Sequence, residues 1–315
     1  MRAWLLDRIG SIQHLRLGEA PDPVPGEGEV LMRVEYAGLN PADRYLAEGL
    51  YPAKPALPHI LGRDGCGLVD GQRMVILRGE AGVTRPGTFA GLAAVPADCL
   101  APAPEGWTAE QCGGAPLVYL TAYQALTMWG ELKDAAVLVT GASGGVGTAC
   151  VHLARALGHQ VIALSRSAEK GRRLREEGAG LVLDPSERGW PGRIREFLGG
   201  RKVDLAVDTI GGELFPRVIE SLADQGRVSC VGRLAGPVPS FNTATLFFKR
   251  LRIGGVSVGA YRPPEARADF AQVLRLLGNT GKTPLVDSVW EFPRLPEAFA
   301  RLAQGPLGKV VLKVS

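Results

Sequence analysis

Short apolar runs broken by glycine and proline fill the first third of the chain. Gly28–Tyr36 (GEVLMRVEY), Gly65–Val69, Gln72–Leu77 and Thr88–Val95 carry β-favouring residues between turn residues, which predicts an all-β, barrel-like unit up to about Ala115 rather than helices. After Pro116 the pattern changes. Ala136–Thr140 (AVLVT) is a short apolar run, glycines follow, a helical stretch runs to Gly158, and Gln160–Leu164 (QVIAL) is a second apolar run. Strand, glycine-rich turn, helix and strand form the βαβ unit of a parallel sheet. The alternation continues through a helix at Ala168–Glu177 closed by Gly178, strands at Leu181–Leu183, Val203–Val207, Arg227–Val231 and Leu251–Val258, and helices at Gly192–Leu198 and Glu213–Leu222. Six such strands with intervening helices predict an α/β fold with a doubly wound parallel sheet. The tail adds a helix over Pro264–Leu277 and a strand over Lys309–Val314 (KVVLKV) that reads as a return to the first domain.

Length and composition narrow the class. A chain of 315 residues exceeds the roughly 250–300 at which single cores stop growing, so two domains are expected. With 46% hydrophobic and 22% charged residues it reads as globular, and no segment reaches the roughly 18 uninterrupted apolar residues of a membrane span. Asp7 and Arg8 follow a very short N-terminal apolar run, so no secretory h-region is expected and the cytoplasm is the expected location. The five cysteines stand apart with no C-x-x-C pair, as buried or incidental thiols do. The formal charge of +4 is mixed along the chain, with short clusters at Arg172, Arg173, Arg175 and at Lys249, Arg250, Arg252; these read as solvated helix faces, not a nucleic-acid surface.

The strongest local signal is Thr140–Gly147 (TGASGGVG), where the first parallel strand turns into its helix. Glycines there let the backbone approach a pyrophosphate, and free N–H groups at the helix start accept its charge. A phosphate-binding loop of the nucleotide-hydrolysing kind needs Lys-Ser/Thr after the last glycine, and Thr148 follows directly. The short-chain dehydrogenase spelling fits Thr140, Gly141, Gly145 and Gly147, but those enzymes begin with this loop, and none of the six tyrosines has lysine four positions on. The reading that remains is a dinucleotide fold with Ala142 at the first glycine position, then Gly144 and Gly147, Ser143, Gly145 and Val146 completing the turn. Roughly 20 residues past such a loop NAD enzymes carry an acidic residue for the ribose 2′-OH. Here stand Ser165-Arg166-Ser167 with Lys170 one turn on, groups that suit a 2′-phosphate and predict NADPH; the alternative is that Arg166 and Lys170 are surface charges.

With these motifs placed, the chain resembles the medium-chain dehydrogenase/reductase superfamily and, within it, the zinc-free quinone oxidoreductase branch. The likeness rests on Gly38-Leu39-Asn40-Pro41-Ala42-Asp43 with Tyr45, Gly49-Leu50-Tyr51-Pro52, Leu61-Gly62-Arg63-Asp64-Gly65, Tyr119-Leu120-Thr121-Ala122-Tyr123, Ala142–Gly147 and Gly308-Lys309-Val310-Val311. It implies a GroES-like β-barrel domain from residues 1–115 and 260–315, a Rossmann NADP(H) domain from 116–259, and a cofactor cleft at their junction. Zinc-dependent relatives hold a catalytic metal with cysteine, a His-Glu pair and a further Cys or Asp. Asn40, Arg63-Asp64 and a cysteine-free Pro116–Tyr123 stand in those places, so no metal site is expected.

Without a Lewis acid, hydride is expected to go to carbon already activated by conjugation, in a quinone, an enone or an enoyl thioester, with hydrogen bonds to the oxygen where charge develops. The resemblance implies that Asn40, Tyr45 and Tyr51 line this pocket, the amide donating to a carbonyl and a tyrosine supplying a proton. It also implies that Thr121 touches the nicotinamide carboxamide and that Val231-Gly232-Arg233 and Val258-Gly259 border the ring. Alternatives stay open: Tyr45 and Tyr51 as packing aromatics, Asn40 as a turn residue, the whole chain as a non-catalytic NADPH-binding protein. Asp43 and Asp64 read as structural, each with an arginine beside it in sequence. Two departures stand out: the segment between Val69 and Gln72 is trimmed, and Asp184-Pro185 replace a tyrosine that some relatives use for the phosphate. Relatives pair through the last Rossmann strand, and Arg252–Val258 (RIGGVSV) suits edge addition, so a homodimer is expected.

Overall fold

The computed structural model describes all residues, Met1–Ser315. In chain order the strands are β1 (Arg2–Leu6), β2 (Leu15–Glu19), β3 (Glu29–Gly38), β4 (His59–Ile60), β5 (Gly65–Val69), β6 (Gln72–Ile76), β7 (Leu92–Pro96), β8 (Leu100–Pro102), β9 (Ala136–Val139), β10 (Gln160–Leu164), β11 (Leu181–Leu183), β12 (Val203–Asp208), β13 (Leu222–Cys230), β14 (Arg252–Gly255), β15 (Val286–Glu291) and β16 (Lys309–Lys313). The helices are α1 (Pro41–Ala47), α2 (Ala109–Gly114), α3 (Pro116–Thr127), α4 (Gly145–Ala156), α5 (Ala168–Glu176), α6 (Trp190–Phe197), α7 (Phe215–Ser221), α8 (Ala244–Lys249), α9 (Pro263–Thr280) and α10 (Leu295–Ala303).

Two compact units result. The first comprises Met1–Val118, Gly259–Ala271 and Thr283–Ser315, and the second Tyr119–Val258 with Gln272–Lys282. The first unit holds a seven-stranded sheet with the path β15-β16-β3-β5-β6-β8 and β7 on β3, and a three-stranded sheet β2-β1-β4. Its pairs are antiparallel except β15 with β16. The trimmed segment after Val69 closes as a two-residue hairpin, Val69 opposite Gln72. Asp70 and Gly71 take φ of 49° and 80°, the left-handed pair that an Asp-Gly turn of this twist demands. Leu6, Leu39, Leu46, Leu61, Phe89 and Leu312 are among the side chains of its larger core.

Two short helices interrupt a region whose sequence pattern predicts strands alone. Asn40 precedes α1 with extended backbone, Pro41 fills its first turn where no donor is missed, and Asp43 closes the start by accepting the Asn40 N–H at 2.8 Å. Thr108 caps α2 through the Gln111 N–H at 3.3 Å. The strand expected over Thr88–Val95 is displaced to Leu92–Pro96; Thr88 and Phe89 instead donate to the carbonyls of Gly62 and Leu61.

The second unit carries a six-stranded sheet, every pair parallel, in the order β11-β10-β9-β12-β13-β14. That order reverses at β9, and doubly wound sheets bind ligands at such a reversal. β9 is buried at every position, as a central parallel strand with both faces covered must be. Leu138, Ile162, Trp190, Ile194, Val218 and Val228 form part of the core on one face. The last strand is shorter than its apolar pattern: β14 ends at Gly255, and Val258–Ala260 form a 3-10 turn. No helix is long and apolar enough to cross a membrane.

Candidate active site

The glycine turn is built from the ends of two central strands. Thr140 donates its hydroxyl to Asp208 at 2.7 Å and accepts the Thr209 N–H at 2.9 Å. Asp208 in turn accepts the N–H groups of Ile210 and Gly211, each at 3.1 Å, so β9 and β12 end in one stitched turn. Gly141 takes φ of 56°, and a Cβ there would strike the Thr209 hydroxyl. A Cβ on Gly147 would strike the Gly141 carbonyl and the Ala142 backbone, so α4 packs directly on the turn; Ala142 itself is fully buried. Gly144 is different. A Cβ there would meet only the Gly141 oxygen at 3.5 Å, which leaves its outer face open to a ligand. The first helical bond of α4 comes from Thr148 N–H to the Gly144 carbonyl, 2.8 Å, so the N–H groups of Gly145, Val146 and Gly147 have no acceptor within the helix and face a positive helix end. Ser143, Gly144, Gly145 and Val146 are half-buried. The turn fits a pyrophosphate.

Beyond β10, Ser167 caps α5 by accepting the Lys170 N–H at 3.3 Å, and the Ser165 hydroxyl donates to the Ser167 carbonyl at 3.4 Å. Arg166 is exposed and Lys170 half-buried. No carboxylate stands among Ser165–Ser167, but Asp184 at the end of β11 lies within electrostatic reach of Arg166. Its carboxyl is held below the usual range, mainly by hydrogen bonds from the Ser186 hydroxyl and N–H and also by the Arg166 charge. Thr121 is buried on α3 at 7% exposure. Val231 and Gly232 donate to the Asp208 carbonyl at 2.8 and 3.2 Å, and Arg233 follows them half-buried. Val258 and Gly259 sit in the 3-10 turn after β14, where the Gly259 carbonyl accepts from Arg78.

In the first unit the sequence-predicted residues divide. Asn40, 4% exposed, donates its amide to the Gly38 carbonyl at 3.2 Å and accepts the Lys309 ammonium at 2.8 Å. Lys309 also donates to the Leu39 carbonyl at 2.9 Å and to Asp64 at 3.3 Å. The partner of Asp64 is Lys309 rather than the neighbouring arginine. Burial drives the Asp64 carboxyl upward against the pull of Lys309 and lowers the Lys309 ammonium. Burial likewise raises Asp43 to about 6, opposed by Arg63. Tyr45 stands half-buried on α1. Tyr51 accepts the Arg63 guanidinium at 3.0 Å, and that guanidinium carbon lies 4.9 Å from the Tyr51 ring centre.

Lys309 and Arg63 were not read as site residues from the sequence. Each lies inside a recognised motif, but a motif does not reveal which distant side chain meets which. A second buried network was equally hidden: Tyr119 hydroxyl to His152 Nδ1 at 2.7 Å, and His152 Nε2 to Glu177 at 3.0 Å.

Comparison with known proteins supplies the family. Residues 26–105 match the alcohol dehydrogenase GroES-like domain, and residues 145–279 match the zinc-binding dehydrogenase family. A quinone oxidoreductase of Lama guanicoe is 31% identical over 323 residues, 99% of this chain and 97% of that protein. The quinone oxidoreductase of Thermus thermophilus, solved alone and with NADPH, superposes with a TM-score of 0.85 at 32% identity over the full length of both chains. A solved NAD-dependent alcohol dehydrogenase gives a TM-score of 0.92 at 29% identity, again over both full lengths. The chain therefore belongs to the quinone oxidoreductase branch of the medium-chain dehydrogenase/reductase superfamily, with a GroES-like domain and an NAD(P)-binding Rossmann sheet.

Proposed function

We propose that this oxidoreductase uses NADPH to reduce a quinone or a similar conjugated carbonyl without a metal. The observation that carries the proposal is the open face of Gly144 above three N–H groups of α4 that lack helical acceptors. Ala142, Ser143, Gly144, Gly145, Val146 and Gly147 hold the pyrophosphate, and Ser165, Arg166 and Lys170 meet the 2′-phosphate. Thr121, Val231, Gly232, Arg233, Val258 and Gly259 border the nicotinamide, as the resemblance implies. Bound NADPH supplies hydride.

The chain's own part lies at the acceptor. Tyr51 donates its proton to the acceptor oxygen as negative charge develops there, and Tyr45 shapes the pocket. Asn40 lines the pocket with both ends tied down, its carbonyl held by Lys309 and its amide shared between the Gly38 carbonyl and Asp64. The donor set around Asn40 supports chemistry without zinc: an amide, a buried aspartate and an ammonium offer neither thiolate nor imidazole. The acceptor must then be electron-poor by itself, which favours quinones and enones over simple ketones.

NADH is the rival cofactor, and Asp184 favours it by drawing on the Arg166 charge. The ratio of kcat/KM for NADPH over NADH decides between them: the proposal expects it above one, and a value below one removes the phosphate assignment. Steady-state assays with 1,4-quinones, 2-alkenals and crotonyl-CoA choose the acceptor. NADPH binding without turnover of any of these supports a non-catalytic binding protein instead. We also place the protein in the cytoplasm and expect a homodimer. Its β14 lies at the sheet edge, and Phe247 and Phe248 of the preceding α8 are 64% and 78% exposed. Sedimentation equilibrium at twice the chain mass tests the dimer.

A further inference from the structure

Arg63 stands where zinc-dependent relatives place a metal ligand, and its backbone is tightly held. Leu61, Gly62 and Asp64 on either side are buried, and Gly62 takes φ of 98° in a position where a Cβ would press on Thr88 and Phe89. Such a turn fixes where the Arg63 side chain departs. The guanidinium carbon lies 4.9 Å from the Tyr51 ring centre while one terminal nitrogen reaches the Tyr51 oxygen at 3.0 Å. One side chain thus fixes both the plane of the phenol and its oxygen.

A guanidinium has donors and no acceptor. In this contact the Tyr51 oxygen therefore accepts, and its own O–H points away from Arg63, free to donate elsewhere. Asp43, buried at 1% exposure with its Oδ1 unbonded, lies within the field of the same guanidinium, so the Arg63 charge acts on a buried carboxylate as well as on the phenol. From this geometry we propose that Arg63 is a positioning residue for proton donation by Tyr51, and that it selects acceptors whose oxygen becomes anionic during reduction. The proposal rests on the reading of Tyr51 as proton donor. The step balances simply. The acceptor oxygen, carrying the electron pair displaced by hydride, takes the Tyr51 proton; the O–H bond of Tyr51 breaks, the phenolate remains beside the Arg63 cation, and water returns the proton.

The test is a double-mutant cycle with Arg63→Met, Tyr51→Phe and both together, assayed with NADPH and a 1,4-quinone or 2-alkenal. Arg63→Met is expected to lower kcat on the order of 10- to 100-fold with NADPH affinity unchanged by fluorescence titration. The double variant should be no slower than Tyr51→Phe alone, because one residue acts through the other. Guanidinium ion at tens of millimolar should restore part of the rate to Arg63→Met and none to Tyr51→Phe. Should Arg63→Met not fold, Arg63→Lys is expected at an intermediate rate with a normal Tm. Multiplying losses in the double variant, or Arg63→Met within about twofold of the parent while Tyr51→Phe is impaired, overturns the role of Arg63 and leaves the proposed function standing. Parental rates in Tyr51→Phe for every acceptor instead remove the proton-donor reading beneath it.

Discussion

Each unit buries an ionic cluster, and the two resolve the cost of burial in opposite ways. In the second unit one carboxylate, Glu177, draws three partners: His152 at 3.0 Å, Lys282 at 3.0 Å and Arg173 at 3.1 Å. The hydrogen bonds from His152 and Lys282, led by the first, outweigh desolvation and hold Glu177 down to about 2. In the first unit the buried Lys309 ammonium donates to Asp64, while Asp43 has only the Asn40 N–H and the more distant charges of Arg63 and Lys309 and leaves an oxygen unbonded. There desolvation wins and Asp43 rises to about 6. Burial alone does not set the state of a carboxylate; the number of donors aimed at it does. The cluster that is short of donors is also the one that carries Asn40 and borders Arg63, as strained polar groups at working sites commonly do.

The largest expected effect separates the two lysines. Lys309→Met leaves Asp64 buried without its cation and is expected to lower stability by about 3–5 kcal/mol in denaturant unfolding; a loss below about 1 kcal/mol breaks the comparison at its root. His152→Leu strips a partner from both Tyr119 and Glu177 and should cost about 1–3 kcal/mol, read in the same experiment. The pH dependence of stability then sharpens the contrast. Asp43 binds its proton more tightly folded than unfolded, so its contribution is full below about pH 4 and is lost as pH rises through about 6. Glu177 binds its proton more weakly folded, so its contribution is full above about pH 4.5 and is lost as pH falls toward 2. Each spans on the order of 2 kcal/mol. Asp43→Asn should therefore flatten the decline between pH 4 and 6, and Glu177→Gln the acid limb below 4.5; identical slopes in variant and parent contradict the assignment. The smallest effect belongs to Lys282→Met, whose side chain is 32% exposed, at about 0.5–1 kcal/mol by thermal melting.

Much of this molecule is local and was readable as such. The period of the apolar runs gave the alternating strands and helices of the second unit, because β9, β10 and β12 are buried on both faces and need continuous apolar residues. The turn at Thr140–Gly147 was legible because only glycine fits against the Gly141 carbonyl and the helix start. The Asp70-Gly71 hairpin follows from the same chemistry of left-handed backbone. Boundaries were less legible: α1 and α2 hide in a strand-like region since their stability comes from caps and packing, and β14 stops three residues before its apolar pattern does.

Pairings across the chain were settled by tertiary structure alone. Asp64 and Lys309 are 245 residues apart, and Tyr119 and His152 are 33, so no spacing rule connects them. The sequence by itself determined the fold class and the glycine turn, since each depends on residue type at near neighbours. The folded chain decided which acid meets which base, and with that the charge each buried group carries, because desolvation and donor number exist only once distant segments have packed together.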